Sequence, residues 1–294
     1  MNDKAASPQA ISFDTILPSA MAQRAEAGGV ARAAMDPLAV FVLSVLAGAF
    51  ISFGAVFATT VGAGAADLPY GVMRFLTGLV FCLGLILVVV GGAELFTGNN
   101  MLVMAWASGK VTTRAVLANW GIAFAGNFVG ALAMAAIMFV STQYTFGGGS
   151  VGLNALAIAH GKVSLAPVPA FTLGILCNAL VCLAVWMCYG ARTTIDRVVT
   201  VIPPMSGFVA AGFEHSIANI YFIPFALLIK AAAPGAFWAA IGKSPADYPM
   251  LTWDNFLFAN LVPVTAGNIV GGSFMVAAVY WFVYLRKRPP EMAS

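Results

Sequence analysis

The sequence predicts an all-α polytopic membrane protein, with six transmembrane helices forming two inverted three-helix repeats and with the second and fifth helices broken. Three observations carry that prediction. Of the 294 residues, 61% are hydrophobic and only 9% are charged, and the mean hydropathy of +0.92 lies beyond the range of ordinary soluble domains. Apolar windows of about 20 residues, the length a helix needs to cross the hydrocarbon core, recur six times. Motifs of the first half also return in the second.

Taken in order, residues 1–36 read as a cytoplasmic N-terminal tail. Pro8, Pro18, Lys4, Arg24 and Arg32 leave it no continuous apolar core for a cleaved signal, so the spans are expected to direct their own insertion. Within that tail, residues 19–33 read either as a surface helix or as partly ordered chain. A transmembrane domain follows over 37–286, with spans at roughly 37–60, 72–107, 114–141, 168–190, 196–231 and 256–285. The second and fifth are too long for one crossing and contain polar interruptions. Residues 287–294 form a C-terminal tail.

Charge sets the orientation. Ten of the fourteen Lys and Arg residues fall on one side (Lys4, Arg24, Arg32, Lys110, Arg114, Arg192, Arg197, Arg286, Lys287 and Arg288), and Arg74, Lys162, Lys230 and Lys243 fall on the other. The positive-inside rule therefore places both termini in the cytoplasm. The net charge of +3 reflects these flanks, and no basic stripe with interleaved aromatics suggests nucleic acid. Cys82, Cys177, Cys182 and Cys188 all lie in apolar spans without C-x-x-C spacing and read as buried thiols. His160 and His215 are the two histidines. No metal site, cofactor or nucleotide-binding loop is expected.

The repeat shows in short echoes. "AGNFVG" at 125–130 returns as "AGNIVG" at 266–271, and "ELFTGN" at 94–99 shares an E-x-x-x-x-N frame with "EHSIAN" at 214–219. Gly48 and Ser52 echo Gly174 and Asn178 more weakly. The second half is longer by about 21 residues, which fit the loop "AAAPGAFWAAIGKSPADYPM". Three spans per copy is an odd number, so the second copy must be inverted, an arrangement that builds a site at the membrane midplane. The stretches "GGAELFTGNN" (91–100) and "IPPMSGFVAAGFEHS" (202–216) are the expected breaks, with Pro203 and Pro204 opening the second helix. Irregular backbone at that depth must be buried in protein or line a cavity. Two broken helices can also aim their N-terminal N–H groups at one anion.

The polar residues at the breaks admit two readings. Glu94 and Glu214, with Asn99 and Asn219, either accept and donate hydrogen bonds that hold the breaks in shape or take part in a proton relay. His215 adjoins Glu214 where the other half has Leu95, so only one half carries a group that titrates near neutrality. Lys162, in the predicted loop 142–167, is either solvated or concentrates anions in a vestibule. Phe81, Leu85, Leu95 and Phe208 are packing residues by default, although Leu95 and Phe208 fall within the breaks and Phe81 and Leu85 share one helical face.

Together, "GAELFTGN", "GILCNALVCLAVW", "GFEHSIANIYFIP" and "NLVPVTAGNIVGG" resemble the formate/nitrite transporter family, in order and spacing, over nearly everything after the N-terminal tail. The ending "SIANIYFIP" and the long loop before the last span are most similar to the formate channel branch. The resemblance implies an aquaporin-like protomer in a bacterial-type inner membrane, a homopentamer with one pore per protomer, and passage of formate or a similar small anion. That passage is either proton-coupled, with the anion protonated and crossing as the neutral acid, or a flux of the intact anion with the histidine as a switch. By motif position it implies a central pore histidine at His215, a hydroxyl beside it at Thr97 and a nearby amide at Asn178. It further implies an anion-attracting lysine at Lys162 and apolar constrictions at Phe81, Leu85, Leu95 and Phe208. Nitrite or hydrosulfide is the alternative substrate within the family. A neutral-solute channel is the alternative of another class, but it gives Lys162 and His215 no task and lacks N-P-A motifs at the breaks. An enzyme is not expected, because two histidines and scattered cysteines supply no catalytic cluster.

Overall fold

The computed structural model describes residues 16–65 and 68–286. Lys4, Pro8, Lys287 and Arg288, and with them the whole 287–294 segment, lie outside the described residues.

Among the described residues, five helices are long and apolar enough to cross a membrane: α2 (Pro37–Val61), α3 (Tyr70–Gly91), α5 (Thr113–Val140), α7 (Pro167–Gly190) and the continuous run Asn255–Tyr284. The pair α8 (Thr194–Ala211) and α9 (Ser216–Ala232), bent by 51° at its break, is together long and apolar enough to count as a sixth. Between α3 and α5 the chain forms a 3₁₀ turn at Gly98–Leu102 and the short α4 (Val103–Ala107). The last run is α11 (Val262–Val270) and α12 (Val279–Tyr284), joined and preceded by π-helical segments at Gly271–Ala278 and Asn255–Leu261.

Local chemistry sets the helix starts. Asp36 accepts the Ala39 N–H at 2.9 Å ahead of Pro37, and Thr112 accepts the Ala115 N–H. Thr193 and Asp196 form a reciprocal capping box for α8. Both breaks begin at a left-handed glycine, Gly92 (φ 74°) and Gly212 (φ 78°), a conformation that costs other residues steric strain. Glycine also lets helix backbones touch, as small residues do in membrane bundles. A Cβ on Gly130 would overlap the Val45 carbonyl of α2, and one on Gly271 would overlap the Ile175 carbonyl of α7.

Two expectations need correction. Pro203 and Pro204 open no helix: both lie inside α8, which starts at the Thr193 box, and the break falls after them at Gly212. Residues 142–167 are not a plain loop, because α6 (Ser150–Val163) occupies most of them and buries Val151, Gly152, Ala155, Leu156, Ala159 and Val163 at helical spacing. Lys162 therefore stands in a helix's last turn. Of the two readings for residues 19–33, the helix is the one observed: α1 (Pro18–Ala33), whose Met21, Ala22 and Ala25 pack with Met101, Met104 and Trp186. Its inner face is thus covered by the bundle. The 231–250 insertion also folds, with α10 (Gly235–Ile241) burying Phe237 and Trp238, and with Lys230 Nζ donating to the Tyr248 and Leu251 carbonyls at 2.8 and 2.9 Å.

Candidate functional site

The two breaks share one set of asparagine and carboxylate hydrogen bonds. After Gly92 the Glu94 N–H donates to the Leu43 carbonyl, and after Gly212 the Glu214 N–H donates to the Leu173 carbonyl, each at 3.3 Å. Asn127 Oδ1 accepts the Phe96 N–H at 2.8 Å, while its Nδ2 donates to the Ser44 and Glu94 carbonyls. Asn268 repeats this with the Ser216 N–H at 2.9 Å and the Gly174 and Glu214 carbonyls. Buried asparagines thus satisfy the backbone groups that each break frees, which lipid would leave unpaired.

The carboxylates follow the same plan. Asn99 Nδ2 donates to Glu94 Oε2 at 2.8 Å and to Asn119 Oδ1 at 2.9 Å. Asn219 Nδ2 donates to Glu214 Oε2 and to Asn260 Oδ1, both at 2.7 Å. The other oxygen of each glutamate takes a cation, Arg32 Nε at 3.2 Å for Glu94 and Lys162 Nζ at 2.8 Å for Glu214. Each buried carboxylate is thereby hydrogen-bonded and paired with a cation rather than isolated.

The halves differ where they meet. His215, 2% exposed, opens α9 as its N-cap. Its Nδ1 accepts the Ala218 N–H at 3.1 Å, and its Nε2 lies 3.1 Å from Thr97 Oγ1. A backbone N–H can only donate, so Nδ1 carries the lone pair and the proton of the neutral ring sits on Nε2, directed at Thr97. The Thr97 hydroxyl, accepting that proton's hydrogen bond, keeps its own hydrogen for another acceptor. Asn178 Nδ2 donates to the Thr97 carbonyl at 3.3 Å, and to Asn100 Oδ1 and the Asn268 carbonyl at 2.7 Å. Among the described residues neither Asn178 nor Thr97 lines either cavity discussed next, so Asn178 holds the segment that presents Thr97.

Two cavities flank this contact. One, of about 230 Å³, is lined by Leu85, Leu95, Glu94, Asn99, Arg32 and Arg197, among others. The second, of about 430 Å³, includes Phe81, Phe208, His215, Lys162, Glu214 and Arg74. Phe81 and Phe208 meet edge to face at 5.6 Å, and the Phe208 ring lies 6.0 Å from the His215 ring. Leu85, Leu95, Phe81 and Phe208 are at most 3% exposed. The apolar residues therefore fall in pairs, one on each side of the Thr97–His215 contact.

All twelve residues picked from the sequence thus gather around the breaks. Asn127, Asn268, Asn119, Asn260 and Arg32 were not assigned a role there. A usable signal existed, since Asn119 precedes Asn127 and Asn260 precedes Asn268 by the same eight residues.

Comparison with known proteins gives a consistent picture. The family model for "Formate/nitrite transporter" matches residues 19–282. The chain is 45% identical over 275 residues to the formate channel FocA of Escherichia coli (strain K12), covering 94% of this chain and 96% of that one. It is 37% identical over 264 residues to a probable formate transporter of Methanothermobacter thermautotrophicus, covering 84% and 89%. A solved structure described as a pentameric formate channel with formate bound superposes with a TM-score of 0.81 at 46% identity, covering 85% of this chain and 98% of that one. An FNT family ion channel superposes with a TM-score of 0.73 at 26% identity, covering 90% and 98%. These relatives are described as channels or transporters, not enzymes. The chain belongs to the formate/nitrite transporter family.

Proposed function

We propose that the protein is a channel for formate and similar small monovalent anions, with one pore per protomer of a homopentamer. Residues 37–286 form the pore in a bacterial-type inner membrane, residues 1–36 and 287–294 flank it in the cytoplasm, and the protomer is aquaporin-like with two inverted three-helix repeats. The asparagine and carboxylate bonds shared by the two breaks support the repeat, and the relatives described as formate channels support the substrate.

The observation that carries the function is the Thr97–His215 contact at 3.1 Å, set between apolar pairs and two polar cavities. A bare anion crossing the Leu85/Leu95 and Phe81/Phe208 pairs faces a large desolvation cost, whereas the neutral acid faces far less. In water a small carboxylic acid titrates near 4 and imidazole near 6.5, so moving a proton from imidazolium to the anion is uphill by roughly 3.4 kcal/mol. A dry constriction penalises both ions of that pair and favours the neutral acid beside a neutral ring. Because Nδ1 accepts the Ala218 N–H, the ring rests neutral, and charging it at Nδ1 sacrifices a helix cap worth about 1 kcal/mol. The imidazolium is therefore a transient, formed only while an anion compensates it. At rest the ring and Thr97 act as one hydrogen-bond donor aimed at the anion.

Flux into proteoliposomes, with formate, nitrite and hydrosulfide compared side by side, tests the assignment. A formate preference supports it. Nitrite dominance moves the protein to another branch with the same pore, while glycerol permeation without anion flux overturns the anion reading.

A further inference from the structure

The cavity on the Lys162 side holds three formally charged side chains among its described lining residues, and two of them cancel. Lys162 is bound to Glu214 at 2.8 Å, its side chain is only 16% exposed, and its ammonium also lies over the Phe222 ring at 5.6 Å. A closed, half-dry ion pair presents a dipole to the vestibule, and the field of a dipole falls off faster than that of a single charge. The third charge is Arg74, near the start of α3. Its Nε donates to the Ala210 carbonyl at 3.0 Å and its Nη2 to the Val209 carbonyl, so it caps the C-terminal end of α8. A side chain on Gly212 would begin 3.3 Å from that same Nη2. Both acceptors are neutral carbonyls, and among the described residues no carboxylate pairs with Arg74.

Resting on the channel reading above, we infer that Arg74 is a specificity-determining residue of this mouth: it supplies the uncompensated positive charge that collects monovalent anions before they reach His215. The guanidinium does two jobs. As a cation at a helix C-terminus it complements the dipole of α8 and fastens the second break. As the only unpaired formal charge among the described lining residues, it sets the sign of the vestibule. Lys162 then serves mainly to neutralise Glu214.

The two jobs separate experimentally. Arg74→Gln keeps an amide donor for the α8 carbonyls and loses the charge, and Arg74→Lys keeps the charge. Formate uptake is measured in oriented proteoliposomes, from each side in turn, at low and high concentrations of an inert salt. Arg74→Gln is expected to raise the half-saturating formate concentration roughly three- to tenfold from the Arg74 side only, with maximal flux within about twofold of wild type. Arg74→Lys restores it. Added salt weakens the wild-type affinity from that side and leaves the Gln variant flat, because screening acts on an unpaired charge. An unchanged half-saturation in a folded Arg74→Gln protein overturns the inference while leaving the channel standing. Should that variant fail to assemble, wild-type uptake with no salt dependence from the Arg74 side overturns it equally. Wild-type vesicles that move no formate overturn the channel reading, and this inference with it.

Discussion

Removing the amide of Asn268 opens the second break. The side chain is fully buried and makes three hydrogen bonds, accepting the Ser216 N–H and donating to the Gly174 and Glu214 carbonyls. Gly174 sits within α7, whereas Ser216 N and Glu214 O flank the break and lose their partner in Asn268→Ala. Two orphaned backbone groups at about 1–3 kcal/mol each give roughly 2–6 kcal/mol. Separated helices in a bilayer find substitute partners, which trims the expected loss to about 2–4 kcal/mol. Asn127→Ala orphans Phe96 N and Glu94 O in the same way and is expected to cost the same within about 1 kcal/mol. Reversible unfolding of the purified protein in mixed micelles with increasing denaturing detergent reads both values. Losses below about 0.5 kcal/mol in either variant, with unchanged flux, would refute the idea that these amides hold the breaks.

Other predictions follow from the same geometry. Thr97→Val removes the acceptor of the His215 Nε2 proton and the hydroxyl offered to the anion; formate flux is expected to fall roughly tenfold or more while stability changes by only about 1 kcal/mol, read by stopped-flow uptake beside thermal unfolding. Lys162→Met strands Glu214, only 4% exposed at its side chain, and is expected to cost about 3 kcal/mol, with Lys162→Met/Glu214→Gln recovering more than half of it in the same unfolding assay. Glu26 of α1 has its ionisation opposed by burial, but hydrogen bonds from Lys110 and Ser108 and the Lys110 charge outweigh burial and hold its carboxyl below the ordinary value. A depressed carboxylate contributes stability above its unfolded pKa and loses it as pH falls through the folded one. Hydrogen exchange of residues 18–33, corrected for intrinsic pH dependence, should therefore quicken only below the ordinary carboxylate range, and Glu26→Gln should abolish that pH step.

The crossings and both breaks were legible because they follow from local rules. Length and hydropathy mark the spans, Gly92 and Gly212 mark the left-handed ends, and the repeated Glu–Asn frame marks the carboxylates that must be satisfied. Pro203 and Pro204 misled because a helix already begun at the Thr193 box can carry prolines, so the left-handed Gly212 rather than a proline ends it. Lys162 was misplaced because α6 is short and its apolar spacing lies below the length that signals a crossing. The pairings were the least legible part. Arg32 reaches Glu94 across 62 residues and Thr97 reaches His215 across 118, and no periodicity connects positions so far apart. Resemblance to a known family, rather than spacing, pointed to Thr97. Arg74 entered only the charge count, since its significance depends on Lys162 being neutralised by a partner 52 residues away.

The most direct test of the central claim follows formate uptake, internal pH and current together, in wild type and in His215→Asn. An asparagine can accept the Ala218 N–H and donate toward Thr97 as the ring does, but it cannot take up a proton. The wild type is predicted to move formate with one proton and no net current. His215→Asn is predicted to keep moving the anion, now electrogenically and without acidification. Proton coupling that survives intact in His215→Asn would contradict the account, because the proton would then reach the anion without the histidine.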